Sequence, residues 1–141
     1  MSLLYRDRLD APASFAMLAL RLVAGSAFVL HGSGKITNAF AWMGPEAPVP
    51  GFLQALAALS EFGGGLAWIV GLLVPLASLG ILCTMAVALQ FHIGRGDVFV
   101  SQALGTPAWE LAALYFAIAL LLLLAGPGRL SIDRALFHRA R

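Results

Sequence analysis

Ser60-Glu61-Phe62-Gly63-Gly64-Gly65-Leu66-Ala67-Trp68 is the stretch whose reading decides the fold. It sets a carboxylate, three consecutive glycines and a tryptophan inside an apolar run from Phe52 to Val74. About 20 apolar residues, rising ~1.5 Å each, cover the ~30 Å hydrocarbon core, so this run can cross a bilayer. A carboxylate at that depth costs roughly 3 kcal/mol or more unless it is paired, protonated or facing water. Glu61 therefore needs a partner.

The whole chain has the composition of a membrane protein. Its 141 residues are 60% apolar and 11% charged, with a mean hydropathy of +0.88, whereas soluble domains are about 25% charged. The net charge of +2 is too small and too dispersed for a nucleic-acid partner. Cys83 is the sole cysteine, which excludes an internal disulfide and a CxxC pair; it reads as a small buried hydrophobe.

Outward from Glu61, four spans are expected over about 13–33, 52–74, 76–93 and 108–125, in one membrane domain covering residues 1–141. Ser14 is a candidate cap for the first. Arg21 interrupts its apolar run, which argues against a cleaved secretory signal. His31-Gly32-Ser33-Gly34-Lys35 should close it, because glycines and serine disfavour helix. Trp42, in a proline-rich loop, reads as an interfacial anchor. Pro75 marks the turn between spans 2 and 3, and Thr106-Pro107 the start of span 4. Gly126-Pro127-Gly128 ends that span, and an arginine-rich tail suits a short surface helix on an anionic membrane. Lys and Arg number six on the side of the termini (Arg6, Arg8, Arg129, Arg134, Arg139, Arg141) against two, Lys35 and Arg95, on the other. The positive-inside rule then puts both termini in the cytoplasm. The expected fold is an all-α, integral membrane four-helix bundle.

Counted from the outer ends of their spans, Glu61 lies about 14 Å deep and Arg21 about 15 Å deep. An Arg21–Glu61 pair is expected, with His31, His92, Gln90, Glu110 and Lys35 forming a polar ladder above it. Such a pair could equally serve to fix helix register. Glu110 could complement a helix N-terminus, and Lys35 could snorkel to the headgroups. No close-spaced ligand motif supports a metal at His31 and His92. Gly64 and Gly65 share a helix face with Glu61 and Trp68. They read first as close-packing residues, or else as the open wall of a hollow in which Trp68 stacks on a flat ring.

Arg21-Leu22, His31-Gly32-Ser33-Gly34-Lys35-Ile36, Glu61-Phe62-Gly63-Gly64-Gly65-Leu66, Phe91-His92 and Gly126-Pro127-Gly128-Arg129-Leu130-Ser131-Ile132-Asp133 follow one another in an order that resembles the DoxX family of small four-helix bacterial membrane proteins. The resemblance implies a bacterial inner-membrane location and a link to quinone oxidoreduction or oxidative stress. It carries no settled catalytic set. The leading expectation is a quinone-interacting subunit of a membrane oxidoreductase, without a metal or thiol centre of its own. In it Glu61 and His92 exchange protons, and Arg21 or Lys35 stabilises negative charge. His31, Lys35, Gly64, Gly65, Trp68, Gln90 and Glu110 line the ligand. Electrons would come from a membrane or peripheral redox partner, and a homo-oligomer is compatible with the chain. The alternatives are a non-enzymatic scaffold recruiting a redox or stress-response partner and, ranked last, a small proton-linked transporter.

Overall fold

A computed structural model describes residues 10–137. Arg6, Arg8, Arg139 and Arg141, counted in the charge asymmetry above, lie outside the described residues. Four antiparallel helices form the bundle: α1 (Ala11–Ile36), α2 (Gly51–Val70), α3 (Val74–Gly94) and α4 (Glu110–Ala125), followed by the short α5 (Ile132–Phe137). The first three are each long and apolar enough to cross a membrane, and α4 is apolar but shorter. The fold is all-helical among the described residues, with one isolated bridge between Val98 and Ala108.

Local chemistry moves several boundaries from where the sequence put them. Asp10, not Ser14, caps α1, accepting a hydrogen bond from Ala13 N at 2.9 Å. Ser14 is buried a turn further on. Helix α1 runs on through Gly32 and Gly34 because Gly32 is an interface residue: a Cβ there would sit 2.5 Å from Phe62 N. Helix α2 stops at Gly71, in the left-handed region at φ 72°. Pro75 then falls in the first turn of α3, where its missing N–H costs nothing. The start of α4 slips to Glu110, because Trp109 N and Glu110 N donate to the loop carbonyls of Val98 and Phe99.

Glycines set the interhelical distances. Gly25 and Gly65 abut each other's backbones across α1 and α2, and Gly64 receives Ile81 of α3. Gly80 of α3 abuts Ser60 of α2. Trp68, Phe28, Ile81, Met85, Ala119 and Leu122 make the core. Phe28 meets Trp68 edge-on at 5.5 Å and Tyr115 of α4 at 4.7 Å, closing the ring of helices. The packing role of Gly64 and Gly65 is therefore the one seen.

At the end of the bundle that carries the termini, Arg21 is fully buried. Its guanidinium donates to the carbonyls of Trp68 (3.0 Å), Pro127 and Leu130 (2.8 Å). Asp133, also fully buried, accepts from Leu73 N at 2.7 Å and Val74 N at 2.9 Å. It thereby caps an α3 N-terminus whose preceding residues lack a capping side chain of their own. Asp133 N returns a bond to Gly71 O at 2.9 Å. The Gly126–Asp133 segment is thus a clasp over the α2–α3 turn, and it docks α5 against the bundle end.

Candidate functional site

The expected Arg21–Glu61 pair does not form. Arg21 lies level with Trp68 and Gly71, while Glu61 lies level with Gly32 and Lys35. Eleven residues of α1 separate those levels, about 16 Å at the helical rise. Depth counting failed because the outer ends of spans 1 and 2 are not level. The first turns of α2 extend past the end of α1, and the connecting loop packs on them. Trp42 Nε1 donates to Gln54 O at 2.9 Å, and Met43 N to Gln54 Oε1 at 3.0 Å. Gln54 Nε2 in turn holds Val49 O at 2.9 Å.

Glu61 pairs with Lys35 instead. Lys35 Nζ donates to both carboxylate oxygens, at 2.7 and 2.6 Å. The Glu61 side chain is 4% exposed and that of Lys35 27%. The ammonium also sits 4.4 Å from the centroid of the Trp42 ring, a cation–π contact. The last turn of α1, the middle of α2 and the loop over them therefore converge on one charge. Two of the three ammonium donors are committed to Glu61, and the pair as a whole is neutral.

This pair edges a cleft of about 550 Å³ between α2 and α3. The two helices touch where Gly80 meets Ser60. From that contact toward the loop end they enclose a space walled by Leu53, Ala57, Thr84, Val87 and Phe91, and roofed by Trp42, Met43 and Pro48–Pro50. The volume lies within the ~300–1,000 Å³ of small-molecule sites, and a mostly apolar wall with a few convergent polar groups is their usual make-up.

Of the ten residues expected at the site, Glu61 and Lys35 line this cleft. Trp68 is buried in the core, where its Nε1 donates to Ser78 Oγ at 3.0 Å, so it presents no face to a ring. Gly64 and Gly65 are filled by Ile81 and by α1. His31 is exposed beside Tyr115. Gln90 and Glu110 are exposed, Glu110 as the first residue of α4. His92, in the last turn of α3, belongs to a separate cluster at that helix end, its Nδ1 2.7 Å from Asp97 Oδ2, which Arg95 Nη2 also reaches at 2.7 Å. The hydrogen bond from Arg95 holds the Asp97 carboxyl below the usual carboxylate range, with His92 adding to the effect.

Sequence reading missed Gln54, Ser60 and Thr84 in the cleft, Trp42 as the partner of Lys35, and Asp133 in the clasp. Gln54 carried a usable signal: a lone amide in an apolar run has to be satisfied by something. Cys83 is also corrected. It is exposed and lines the cleft rather than being buried.

Helices of this length and apolarity define an integral membrane protein, and a neutral ion pair stands at a cleft between two of them. Comparison with known proteins specifies it further. The DoxX family model matches residues 16–94, and the chain belongs to the DoxX family. It is 35% identical over 123 residues to the inner membrane protein YqjF of Escherichia coli, covering 85% of this chain and 91% of that one. It is 28% identical over 136 residues to an uncharacterized protein of Haemophilus influenzae, covering 94% of this chain and 99% of the relative. No solved structure matches it. The matched region holds both members of the ion pair and both walls of the cleft, from Lys35 to Phe91.

Proposed function

We propose that this protein is a quinone-interacting subunit of a membrane oxidoreductase system, and that the α2–α3 cleft receives the quinone ring. The observation that carries the reading is a nearly fully buried carboxylate, Glu61, held by Lys35 at the edge of an apolar cleft. The donor set suits such a group. Lys35 offers a charge-assisted donor to a ring oxygen. Glu61 can hold or release a proton beside it. Leu53, Val87 and Phe91 give the ring an apolar wall. A bound quinone would supply reversible two-electron, two-proton chemistry, with electrons delivered by a redox partner protein.

Location follows the same reading. The lysine and arginine asymmetry of the full sequence, together with the name of the Escherichia coli relative, supports an inner-membrane protein with cytoplasmic termini. The Lys35–Glu61 pair then lies in the outer half of the bilayer.

The single cysteine provides the test. Cys83 lines the cleft, so an occupant should shield it from a maleimide. A fully substituted benzoquinone, which cannot add the thiol itself, should slow Cys83 labelling saturably in lipid nanodiscs. Glu61→Ala should weaken that protection at least tenfold. Protection that never saturates, or that is indifferent to Glu61, would overturn the proposal and leave the bundle as a scaffold.

A further inference from the structure

We infer that the cleft is loaded sideways from the bilayer, and that its ligand is a neutral ring bearing a single apolar chain, the chain leaving between α2 and α3. This rests on the quinone reading for the ring and adds the route and the tail.

Three observations lead there. The first is the roof. Loop residues Trp42 to Pro50 cover the cleft at the loop end, and Gln54 ties that loop down through its side-chain amide and its backbone carbonyl. Gln54 is itself buried, so the roof is built in rather than draped. The second is the floor, closed where Ser60 meets Gly80 and Gly64 meets Ile81. The third is the remaining side. Leu53, Leu56, Cys83 and Val87 line the cleft and are exposed, and they belong to two helices long and apolar enough to span a membrane. With roof and floor closed, the open side faces the acyl chains.

Charge narrows the ligand. Lys35 and Glu61 neutralise each other at 2.6 Å. A phosphate brought to Lys35 would meet the Glu61 carboxylate as well, and like charges at that range repel in a low-dielectric site. A neutral head meets no such opposition. A head held at the pair with a lateral exit beside it leaves one way out for a chain.

Two readouts in nanodiscs test this. First, bimane on Cys83 should be quenched several-fold more by nitroxides on phospholipid acyl chains than by aqueous iodide. The reverse ranking would overturn the lateral opening, whatever the ligand. Second, tetramethylbenzoquinone and its decyl-trimethyl counterpart are compared at equal mole fraction in the membrane. The tailed ring should half-protect Cys83 at a mole fraction at least tenfold lower, and Val87→Trp, which narrows the exit, should shrink that ratio. Equal protection by both rings overturns the tail while leaving the quinone reading standing. Protection by neither overturns the quinone reading and with it the tailed-ring ligand, while the bimane ranking still decides the route. A co-purifying phospholipid whose removal exposes Cys83 would overturn the single-chain neutral ligand.

Discussion

The two ends of this bundle bury charge in opposite ways. At the end carrying the termini, Arg21 and Asp133 are satisfied by backbone: three carbonyls for the guanidinium and two amide groups for the carboxylate. Backbone partners are fixed by the helix ends that present them, so that cluster has one arrangement. At the loop end, Lys35 and Glu61 are satisfied chiefly by each other, beside an open cleft. A side-chain partner can be exchanged for a ligand atom without unwinding anything. The first arrangement holds a fold together; the second leaves exchangeable polar groups at the edge of a cleft.

That contrast can be broken at either end, and the largest effect should come at the clasp. Arg21→Leu leaves the carbonyls of Trp68, Pro127 and Leu130 without their donor and strips Asp133 of its nearby positive charge. A loss of about 3–5 kcal/mol is expected, read as a large fall in Tm in detergent. Arg21→Lys should recover only part of it, since one ammonium cannot match the planar fork.

Next in size is the cleft, where stability and binding should separate. Glu61→Gln costs roughly 1–2 kcal/mol, because a partly exposed Lys35 can turn toward water. Ring protection of Cys83 should nonetheless fall at least tenfold. Adding Lys35→Met should bring Tm back toward wild type while binding stays lost. A double variant that recovers binding along with Tm would show the pair to be structural and dissolve the contrast.

A smaller effect is expected at the roof. Trp42→Leu removes the cation–π contact and the bond to Gln54 O, worth about 1–2 kcal/mol together. Protection of Cys83 should weaken several-fold.

The smallest effect concerns pH. Because Asp97 titrates below the ordinary 3.8 in the folded protein, it stabilises the fold above that value. The contribution is lost as pH falls through the depressed range. Asp97→Asn should therefore lower Tm slightly at neutral pH and flatten the acid limb of the Tm-against-pH curve, so that the variant and the parent converge at the acid end.

What the sequence disclosed follows from which forces are local. Hydropathy showed the four apolar helices, three of them long enough to cross a bilayer, because that depends on length and apolarity alone, and the Gly63–Gly65 run pointed to close helix approach. Register was not disclosed, because it depends on where two helices meet. Gly25 and Gly32, seven residues apart on α1, face Gly65 and Phe62 and set the offset between the helices. Had those two glycines been taken as the contact stripe, Lys35 rather than Arg21 would have met Glu61. Asp133 was hidden for another reason. Its partners are main-chain N–H groups some 60 residues earlier, and backbone donors leave no mark in a sequence.

The clasp also imposes an order on biogenesis. Arg21 emerges early in synthesis, yet two of its three acceptors, Pro127 and Leu130, are made more than 100 residues later. Leu73, the one non-glycine residue with positive φ among those described, at 51°, likewise has its amide held by Asp133. Until the Gly126–Asp133 segment is made, the guanidinium has only the Trp68 carbonyl, and a strained, uncapped hairpin sits in the nascent bundle. The chain cannot close its first helix until it has finished its last, so a truncated product would carry an exposed charge by which quality control could single it out.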